Sequence, residues 1–446
     1  MTVPVGKSAG NDEGKARPGL RAVGLWWLAV ALTGVGAGMV AIGLTLLLHL
    51  VQHVAFGYTE NTFLYGVEHA SAQRRVAVLL IAGLVAGSGW WALRRTMRIG
   101  TVEEAISPQD ADLPALSTTL DAVLQIVVVG LGASLGREGA PRQVSAALAA
   151  WLARGCQFDA QQRRILIAAG AGAGLAAVYN VPLGGCLFAV EVLLGTVSLS
   201  VVAPAALASA VATAVSWLVL PDAPTYKLGP LRLTWSVLAF SVLIGPVTGL
   251  AAHGFDTVMT WARARSPRSW PILPATVLTF TALGAVAILY PELLGNGKGP
   301  TELALTGTIG LAAAATITLL KPMATAACLR SGATGGLLTP SLATGALLGV
   351  TAGHLWQDLW PGSQLGAFAF IAAGAMLAVT QRAPLCAIAL VLEFTHTGYP
   401  LLVPLMLAVT EALAIGKYLS ARQRRRGGRR GSAISRTVPS AQPGLS

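Results

Sequence analysis

The chain has 446 residues, of which 54% are hydrophobic and only 11% are charged, and its mean hydropathy is +0.65. These values are typical of a polytopic membrane protein and argue against a soluble enzyme. The net charge of +12 does not indicate nucleic-acid binding, because much of it is local. The local cluster near the C-terminus consists of Arg422, Arg424, Arg425, Arg426, Arg429 and Arg430. Such a cluster is typical of a cytoplasmic flank next to anionic lipid.

The N-terminal part of the chain predicts a short tail and two long spans. Residues 1–21 lack an apolar segment and are expected to be a disordered cytoplasmic tail. No charged residue occurs from Ala22 to Thr59, so one long, tilted span is expected there. A second span covers about 76–93, and three arginines that mark a cytoplasmic end follow it: Arg94, Arg95 and Arg98. Arg74 and Arg75, on the opposite side, count mildly against this orientation.

The remaining apolar segments are mostly short. In the first half they cover about 119–135, 140–155, 165–178, 183–197 and 201–220. In the second half they cover about 232–260, 271–290, 303–327, 337–356, 363–379, 384–395 and 400–420. Short segments interrupted by Gly and Pro predict broken helices around a midplane site. We therefore expect a first membrane repeat at 22–220, a linker at 221–231, a second repeat at 232–420 and a disordered basic tail at 421–446.

The two halves carry the same landmarks. Gly136 and Pro141 are matched 199 residues later by Gly335 and Pro340. Pro182 and Glu191 are matched 202 residues later by Pro384 and Glu393, with the same spacing of nine residues. This pattern predicts a duplication, which is inverted if each half crosses the membrane an odd number of times.

The segment Gly136-Arg137-Glu138-Gly139-Ala140-Pro141 places one positive and one negative side chain in apolar surroundings. An ionisable residue inside a membrane marks a functional site by default. Gly and Pro at the start of a helix predict an anion site at its N-terminus. Two such helices, one from each half, can direct their N-termini at one central point. The site then binds an anion without a full positive charge, which favours release and therefore conduction.

These motifs resemble those of the CLC chloride channel and transporter family. The similar segments are 136–141, 171–185, 331–340 and 382–385, within about 22–420. The resemblance implies a divergent bacterial-type member without CBS domains. It implies an all-α polytopic membrane protein, an inverted-repeat bundle of about 18 membrane helices. It further implies a homodimer with one pore per subunit, in the inner membrane, with both termini cytoplasmic.

The resemblance also implies roles for individual residues. Glu138 would be the gate, a carboxylate that competes with the permeant anion until it is protonated. The expected anion-binding residues are Gly136, Arg137, Gly139, Ala140, Gly336, Leu337 and Leu338. Thr101 is a candidate for a serine ligand that is missing from the first loop. Tyr418 is a candidate for the family's tyrosine, although Gly431 fits its place equally well.

Several departures leave the transport mode and the substrate open. Val192 stands where many proton-coupled members have an inner glutamate, which favours a channel or an atypically coupled exchanger. Ala140 and the altered first loop resemble the fluoride-exporting branch, so chloride is expected first and fluoride second. Glu191 and Glu393 are expected to be helix-end carboxylates, with an inner proton route as the alternative. A cation transporter and an intramembrane protease are distant alternatives.

No cofactor or metal is expected. The four cysteines (Cys156, Cys186, Cys328 and Cys386) are far apart, so they predict neither a disulfide framework nor a zinc site. His49 and His53 have the i, i+4 spacing of a metal pair, but no third ligand is evident nearby.

Overall fold

The computed structural model describes residues 20–60, 62–107 and 113–435, with the backbone alone from residue 424 onward. Within these residues there are 17 α-helices and no strand. The expectation of an all-α bundle of about 18 helices is therefore confirmed. The predicted tail at 1–19 and the end of the basic tail at 436–446 lie outside the described residues.

The helices fall into two sets, one for each predicted repeat. The first set is α1 Leu20–Phe56, α2 Phe63–His69, α3 Ala72–Thr96, α4 Val102–Ala105, α5 Ala115–Gly130, α6 Gly139–Gly155, α7 Ala160–Tyr179, α8 Pro182–Leu187 and α9 Leu199–Ser216. The second set is α10 Trp235–Ala264, α11 Ile272–Val286, α12 Lys298–Thr306, α13 Leu311–Arg330, α14 Leu338–Leu359, α15 Leu365–Gln381, α16 Pro384–Thr395 and α17 Leu402–Ser435. A π-helix, Phe188–Leu194, continues α8. Six described helices are long and apolar enough to cross a membrane, and several others are short.

Two predictions at the element level were wrong. The apolar segment at 303–327 is divided between α12 and α13, because Gly307 adopts φ +69° and ends α12. The tail expected to be disordered from 421 is helical as far as Ser435, since α17 continues without a break. Its Arg, Gln and Ala residues are good helix formers, and the glycines at 427, 428 and 431 do not end the helix.

The backbone repeats its unusual conformations at matched positions. Asn180 and Arg382 both adopt left-handed φ values, 58° and 55°, and end α7 and α15. The next residue in each half, Val181 or Ala383, leaves the helical region with φ −133° or −140°, and Pro182 or Pro384 then starts a new helix. Gly132 and Gly332 both have φ +105°. These pairs support the duplication that the sequence landmarks predict.

The outer helix pairs of the two repeats pack through matched glycines. A Cβ added at Gly34 or Gly38 of α1 would lie 2.8 and 2.7 Å from backbone oxygens of α9. A Cβ added at Gly245 or Gly249 of α10 would lie 2.9 and 2.6 Å from backbone oxygens of α17. Small residues at four-residue spacing let membrane helices approach closely, so each repeat uses the same contact to hold its first and last long helices.

Arg74 and Arg75, the two arginines that opposed the expected orientation, bind helix ends. Arg74 donates hydrogen bonds to the carbonyls of Val54 and Ala55 at the end of α1. Arg75 donates to Ala287 O at 2.9 Å, just beyond α11. A cation at a helix C-terminus satisfies free carbonyls and the helix dipole. This structural role accounts for both arginines without a change of orientation.

Candidate functional site

The two repeat motifs meet at a short antiparallel bridge. Gly136 N donates to Gly336 O, and Gly336 N donates to Gly136 O, both at 2.9 Å. Helix α6 begins three residues after Gly136 and α14 begins two residues after Gly336. Because the bridge is antiparallel, the two helices start at one point and leave it in opposite directions. Two helix N-termini therefore lie next to each other at the centre of the fold.

The Glu138 carboxylate is completely buried at this point. Its Oε1 accepts a hydrogen bond from Leu338 N at 2.7 Å, the first amide of α14. Its Oε2 accepts from Thr339 Oγ1 at 3.1 Å and from Tyr179 OH at 3.5 Å. A side chain of the first repeat thus occupies the helix N-terminus of the second. A small anion bound there would use the same donors in place of the carboxylate.

Gly136 and Gly336 leave room for this carboxylate. A Cβ at either position would collide with the carboxylate oxygens of Glu138. Neither glycine has a left-handed φ, so the requirement is for space and not for backbone conformation. Both residues are therefore part of the site through the volume that they leave empty.

Arg137 turns away from Glu138. Its guanidinium carbon lies 4.9 Å from the centroid of the Tyr179 ring, and its Nε is buried without a hydrogen-bond partner. The donors to the Glu138 carboxylate are a backbone amide and two hydroxyl groups. The partners of the Glu138 carboxylate are therefore groups other than the neighbouring Arg137 side chain.

Two cavities flank the bridge. The smaller, of about 240 Å³, is lined by Arg137 together with His49, His53, Tyr58 and Lys298. The larger, of about 540 Å³, reaches Gly139, Gly336, Leu337 and Leu338. Four arginines also line the larger cavity: Arg94, Arg142, Arg263 and Arg382. Because Arg137 faces one cavity and Gly139 the other, Glu138 lies between them. Cationic walls on both sides favour the approach of anions.

The structure brings together most of the residues expected at the site. Gly136, Arg137, Gly139, Ala140, Gly336, Leu337 and Leu338 all lie at the bridge or in the first turns of α6 and α14. Leu338 contributes its backbone amide, while its side chain is 2% exposed in the apolar core. The donor is thus a main-chain group, which does not depend on the kind of side chain at position 338.

Thr101 and Tyr418 are not brought to Glu138. Thr101 is exposed and caps α4, where its Oγ1 accepts from Glu104 N at 3.2 Å. Its neighbour Glu103, instead, lines the larger cavity. Tyr418 is 63% exposed on the outer face of α17. The capping box of α4 and the outward face of α17 explain why neither hydroxyl contacts the central site.

Tyr179 and Thr339 are the donors that sequence reasoning missed. They are 41 and 201 residues from Glu138, so no local pattern links them to it. Both do lie inside motifs that match between the repeats and the family. The signal was therefore present, but only the fold shows which side chains of those motifs face the carboxylate.

Glu191 and Glu393 cap helices across the repeat boundary. The Glu393 carboxylate accepts from Leu183 N and Gly184 N of α8, at 2.9 and 2.6 Å. The Glu191 carboxylate accepts from Leu385 N and Cys386 N of α16, at 3.3 and 2.7 Å. The expectation of helix-end carboxylates is confirmed. Val192, the next residue, packs partly buried against the apolar core.

The chain is similar to known proteins over most of its length. The family model "Voltage gated chloride channel" matches residues 77–417. A putative chloride channel protein of Ralstonia nicotianae is 30% identical over 346 residues, which are 75% of this chain and 80% of the relative. A voltage-gated ClC-type chloride channel of Salmonella typhi is 27% identical over 405 residues, 88% of this chain and 96% of the relative.

Solved structures show the same fold. A slow cyanobacterial Cl⁻/H⁺ antiporter superimposes with a TM-score of 0.78 at 19% identity, covering 91% of this chain and 95% of the other. A CLC-type fluoride/proton antiporter superimposes with a TM-score of 0.73 at 22% identity, covering 90% and 97%. With the family match across three quarters of the sequence and the paired motifs at the bridge, the chain belongs to the voltage-gated chloride channel (CLC) family.

Proposed function

We propose that the protein carries small inorganic anions, chloride first, across the bacterial inner membrane along a pathway gated by Glu138. It acts as a channel or as a weakly, atypically proton-coupled exchanger, and not as an enzyme. The observation that carries this proposal is the Glu138 carboxylate bound to the N-terminus of α14, between two cavities with cationic walls. The names of the chloride-channel relatives support chloride as the first substrate.

Gating follows from the charge of the carboxylate. While it is ionised, Glu138 accepts strong hydrogen bonds from Leu338 N and Thr339 Oγ1 and occupies the position of an anion. Protonation removes the charge, weakens both bonds and frees the side chain to leave. Chloride from the larger or the smaller cavity then takes the vacated donors, and loss of the proton returns the gate.

Fluoride is the second candidate. Ala140 in place of proline and the fold shared with a fluoride/proton antiporter favour it. The Thr339 hydroxyl and the Leu338 amide are also donors that would suit a small, strongly hydrated anion. Chloride and fluoride efflux from the same liposomes separates the two substrates, and we expect the faster efflux with chloride.

We further propose a homodimer with both termini in the cytoplasm. Arginines at the ends of described helices support this orientation: Arg94 and Arg95 on α3, Arg154 on α6, and Arg263 on α10. By the same argument the larger cavity, lined by Arg94, faces the cytoplasm. The smaller cavity then faces the outside of the cell.

Anion efflux from liposomes containing the purified protein tests the gate. Chloride efflux should rise as the pH falls, and above the half-maximal pH a single titrating gate gives about a tenfold decrease per pH unit. In Glu138→Gln the efflux should be independent of pH, because the amide cannot ionise. Glu302→Gln, in the wall of the smaller cavity, is the matched control and should keep the wild-type dependence. Unchanged pH dependence in Glu138→Gln, or potassium flux without anion flux, contradicts the proposal.

A further inference from the structure

A buried polar cluster lies beside the gate, formed by Trp90 on α3, Asp121 and Gln125 on α5, and Gln143 on α6. We propose that Asp121 is the group through which protons from the larger cavity reach Glu138. This inference rests on the proposed function and adds the proton donor on the inner side of the gate. It concerns a residue for which the sequence motifs assign no role.

Asp121 is a carboxylate held by uncharged donors inside an apolar helix. It is 1% exposed. Its Oδ1 accepts from Trp90 Nε1 at 2.8 Å, and its Oδ2 accepts from Gln125 Nε2 at 2.7 Å. An acidic residue buried in a membrane helix without a bonded cation is costly to keep for packing alone. Its presence in such a place favours a role that uses the proton.

The cluster reaches both the larger cavity and the gate. Gln125 Nε2 also donates to Gln143 Oε1 at 3.0 Å, and both glutamines line the larger cavity. A Cβ added at Gly139, the residue after Glu138, would lie 2.7 Å from Gln125 Oε1 and 3.7 Å from Gly336 N. Gly139 therefore lets the cluster abut the bridge. Asp121 does not line the cavity itself, whereas Gln125, which is bonded to it, does.

The carboxylates of the α8 segment are not free for this task. Both oxygens of Glu191 accept hydrogen bonds from the N-terminus of α16. Val192 has no titratable group. Glu103 and Asp256 do face the larger cavity, but they share its wall with Arg142, Arg263 and Arg382. They are acids of the cavity wall, whereas Asp121 is bonded to the cluster that reaches Gly139.

The charges around Asp121 come from the three helices that pack on α5. Helix α3 contributes Arg94, which donates to Gly332 O at 2.9 Å and to Thr334 Oγ1 at 3.1 Å. Helix α6 contributes Arg142, which donates to Glu138 O at 3.0 Å. Helix α1 places His49 and His53 in the smaller cavity, on the other side of the gate. Both arginines are thus bonded to oxygens other than those of Asp121.

The transfer moves one proton and leaves no other product. Gln125 turns aside, and a hydrated proton of the larger cavity binds Asp121 Oδ2, leaving water and a neutral acid. The neutral acid passes the proton to a carboxylate oxygen of Glu138 through a water that enters from the cavity beside Gly139. Asp121 is then a carboxylate again, and Glu138 is a carboxylic acid that leaves the anion site. Water carries the proton, because the glutamine amides only orient and separate the groups.

Parallel recording of chloride and protons from liposomes tests the inference. With a chloride gradient and no proton gradient, wild type should take up protons weakly, and its chloride flux should depend on the inner-side pH. Asp121→Asn should lower proton uptake at least about tenfold, because the amide cannot bind and release the proton. It should also remove the inner-pH dependence, with chloride flux within about threefold of wild type. Asp121→Glu should restore proton uptake and the inner-pH dependence, and Asp256→Asn should keep both properties.

A second variant guards against a folding defect in Asp121→Asn. Trp90→Phe keeps the carboxylate but removes its donor from α3, so the ionised form loses stabilisation. The inner-side pH of half-maximal chloride flux should therefore rise by about one unit. A purely structural role for Asp121 would not move that midpoint.

The outcomes separate this inference from the proposed function. If Asp121→Asn takes up protons like wild type and keeps the inner-pH dependence, the inference is overturned and the proposed function is not. The inference is also overturned if wild type shows neither property, or if Asp256→Asn is the variant that loses them. Absence of chloride and fluoride flux in wild type contradicts the proposed function, and with it the inference.

Discussion

Thr339 is the side chain whose effect on the gate can be isolated most simply. Its hydroxyl donates to Glu138 Oε2 at 3.1 Å, and valine has nearly the same shape without the donor. Loss of the bond disfavours the ionised carboxylate of Glu138. In Thr339→Val the gate should therefore open at a higher pH than in wild type. A bond to a charged group is worth about 1.5–3 kcal/mol, which corresponds to an upward shift of about one to two pH units. Chloride efflux measured against pH checks this shift.

Tyr179→Phe is the matched comparison for Thr339→Val. Its hydroxyl is 3.5 Å from the same oxygen, at the limit of hydrogen-bonding distance. The upward shift should therefore be smaller, below about half a pH unit. A shift as large as that of Thr339→Val would contradict the geometry, and so would a shift toward lower pH in either variant.

The residues that could be predicted are those whose chemistry is unusual for their surroundings. Glu138 is a charge in an apolar segment, and Gly136 and Gly336 belong to motifs at matched positions. The predictions for Thr101 and Tyr418 rest only on the absence of the family's serine and tyrosine hydroxyls, and the structure places both hydroxyls elsewhere. Tyr179 and Thr339 could not be selected from the sequence, because side-chain direction at a contact between distant segments is a property of the fold.

At the scale of elements, apolar length and breaks by Gly and Pro predicted most of the helices. The division between α12 and α13 was missed because Gly307 ends a helix within a continuous apolar run. The charge pattern does not predict the extension of α17, because charged residues end only the apolar part of the helix. Composition indicates where an apolar membrane segment ends, but it indicates less reliably where the helical backbone hydrogen bonds end.

The reciprocal capping by Glu191 and Glu393 should stabilise both repeats equally. Each carboxylate accepts hydrogen bonds from two backbone amides at the N-terminus of a helix in the other repeat. Glu191→Gln and Glu393→Gln keep an acceptor but lose the charge. We therefore expect each to lower the free energy of unfolding by about 1–2 kcal/mol. Thermal unfolding in detergent, followed by size-exclusion chromatography, should show similar decreases in Tm.

Glu60→Gln is the control for these two variants. Glu60 is exposed between α1 and α2, so the Tm of Glu60→Gln should equal that of wild type. A decrease in Tm for one capping variant but not for the other would show that the two caps are not equivalent. That result would contradict the symmetric role that the structure gives them.

At the scale of the molecule, the sequence predicted a duplication but left its direction conditional. The antiparallel bridge between Gly136 and Gly336 supplies the direction, because α6 and α14 leave it along opposite paths. The number of crossings could not be counted from sequence, since several helices end inside the fold and do not cross it. Which face is cytoplasmic remains part of the proposal, and the arginines at helix ends support it.

The opposite directions of α6 and α14 can be tested with natural and introduced cysteines. Cys156 follows the end of α6 and is half-buried, whereas Cys186, Cys328 and Cys386 are buried. Pro361 is exposed after the end of α14. In intact cells a membrane-impermeant maleimide should label Pro361→Cys in a Cys156→Ser background and leave wild type unlabelled. In inside-out vesicles the maleimide should label Cys156 of wild type and leave the Pro361→Cys, Cys156→Ser variant unlabelled. Labelling of both positions from one face would mean that α6 and α14 point the same way, and that the two N-termini do not form one anion site.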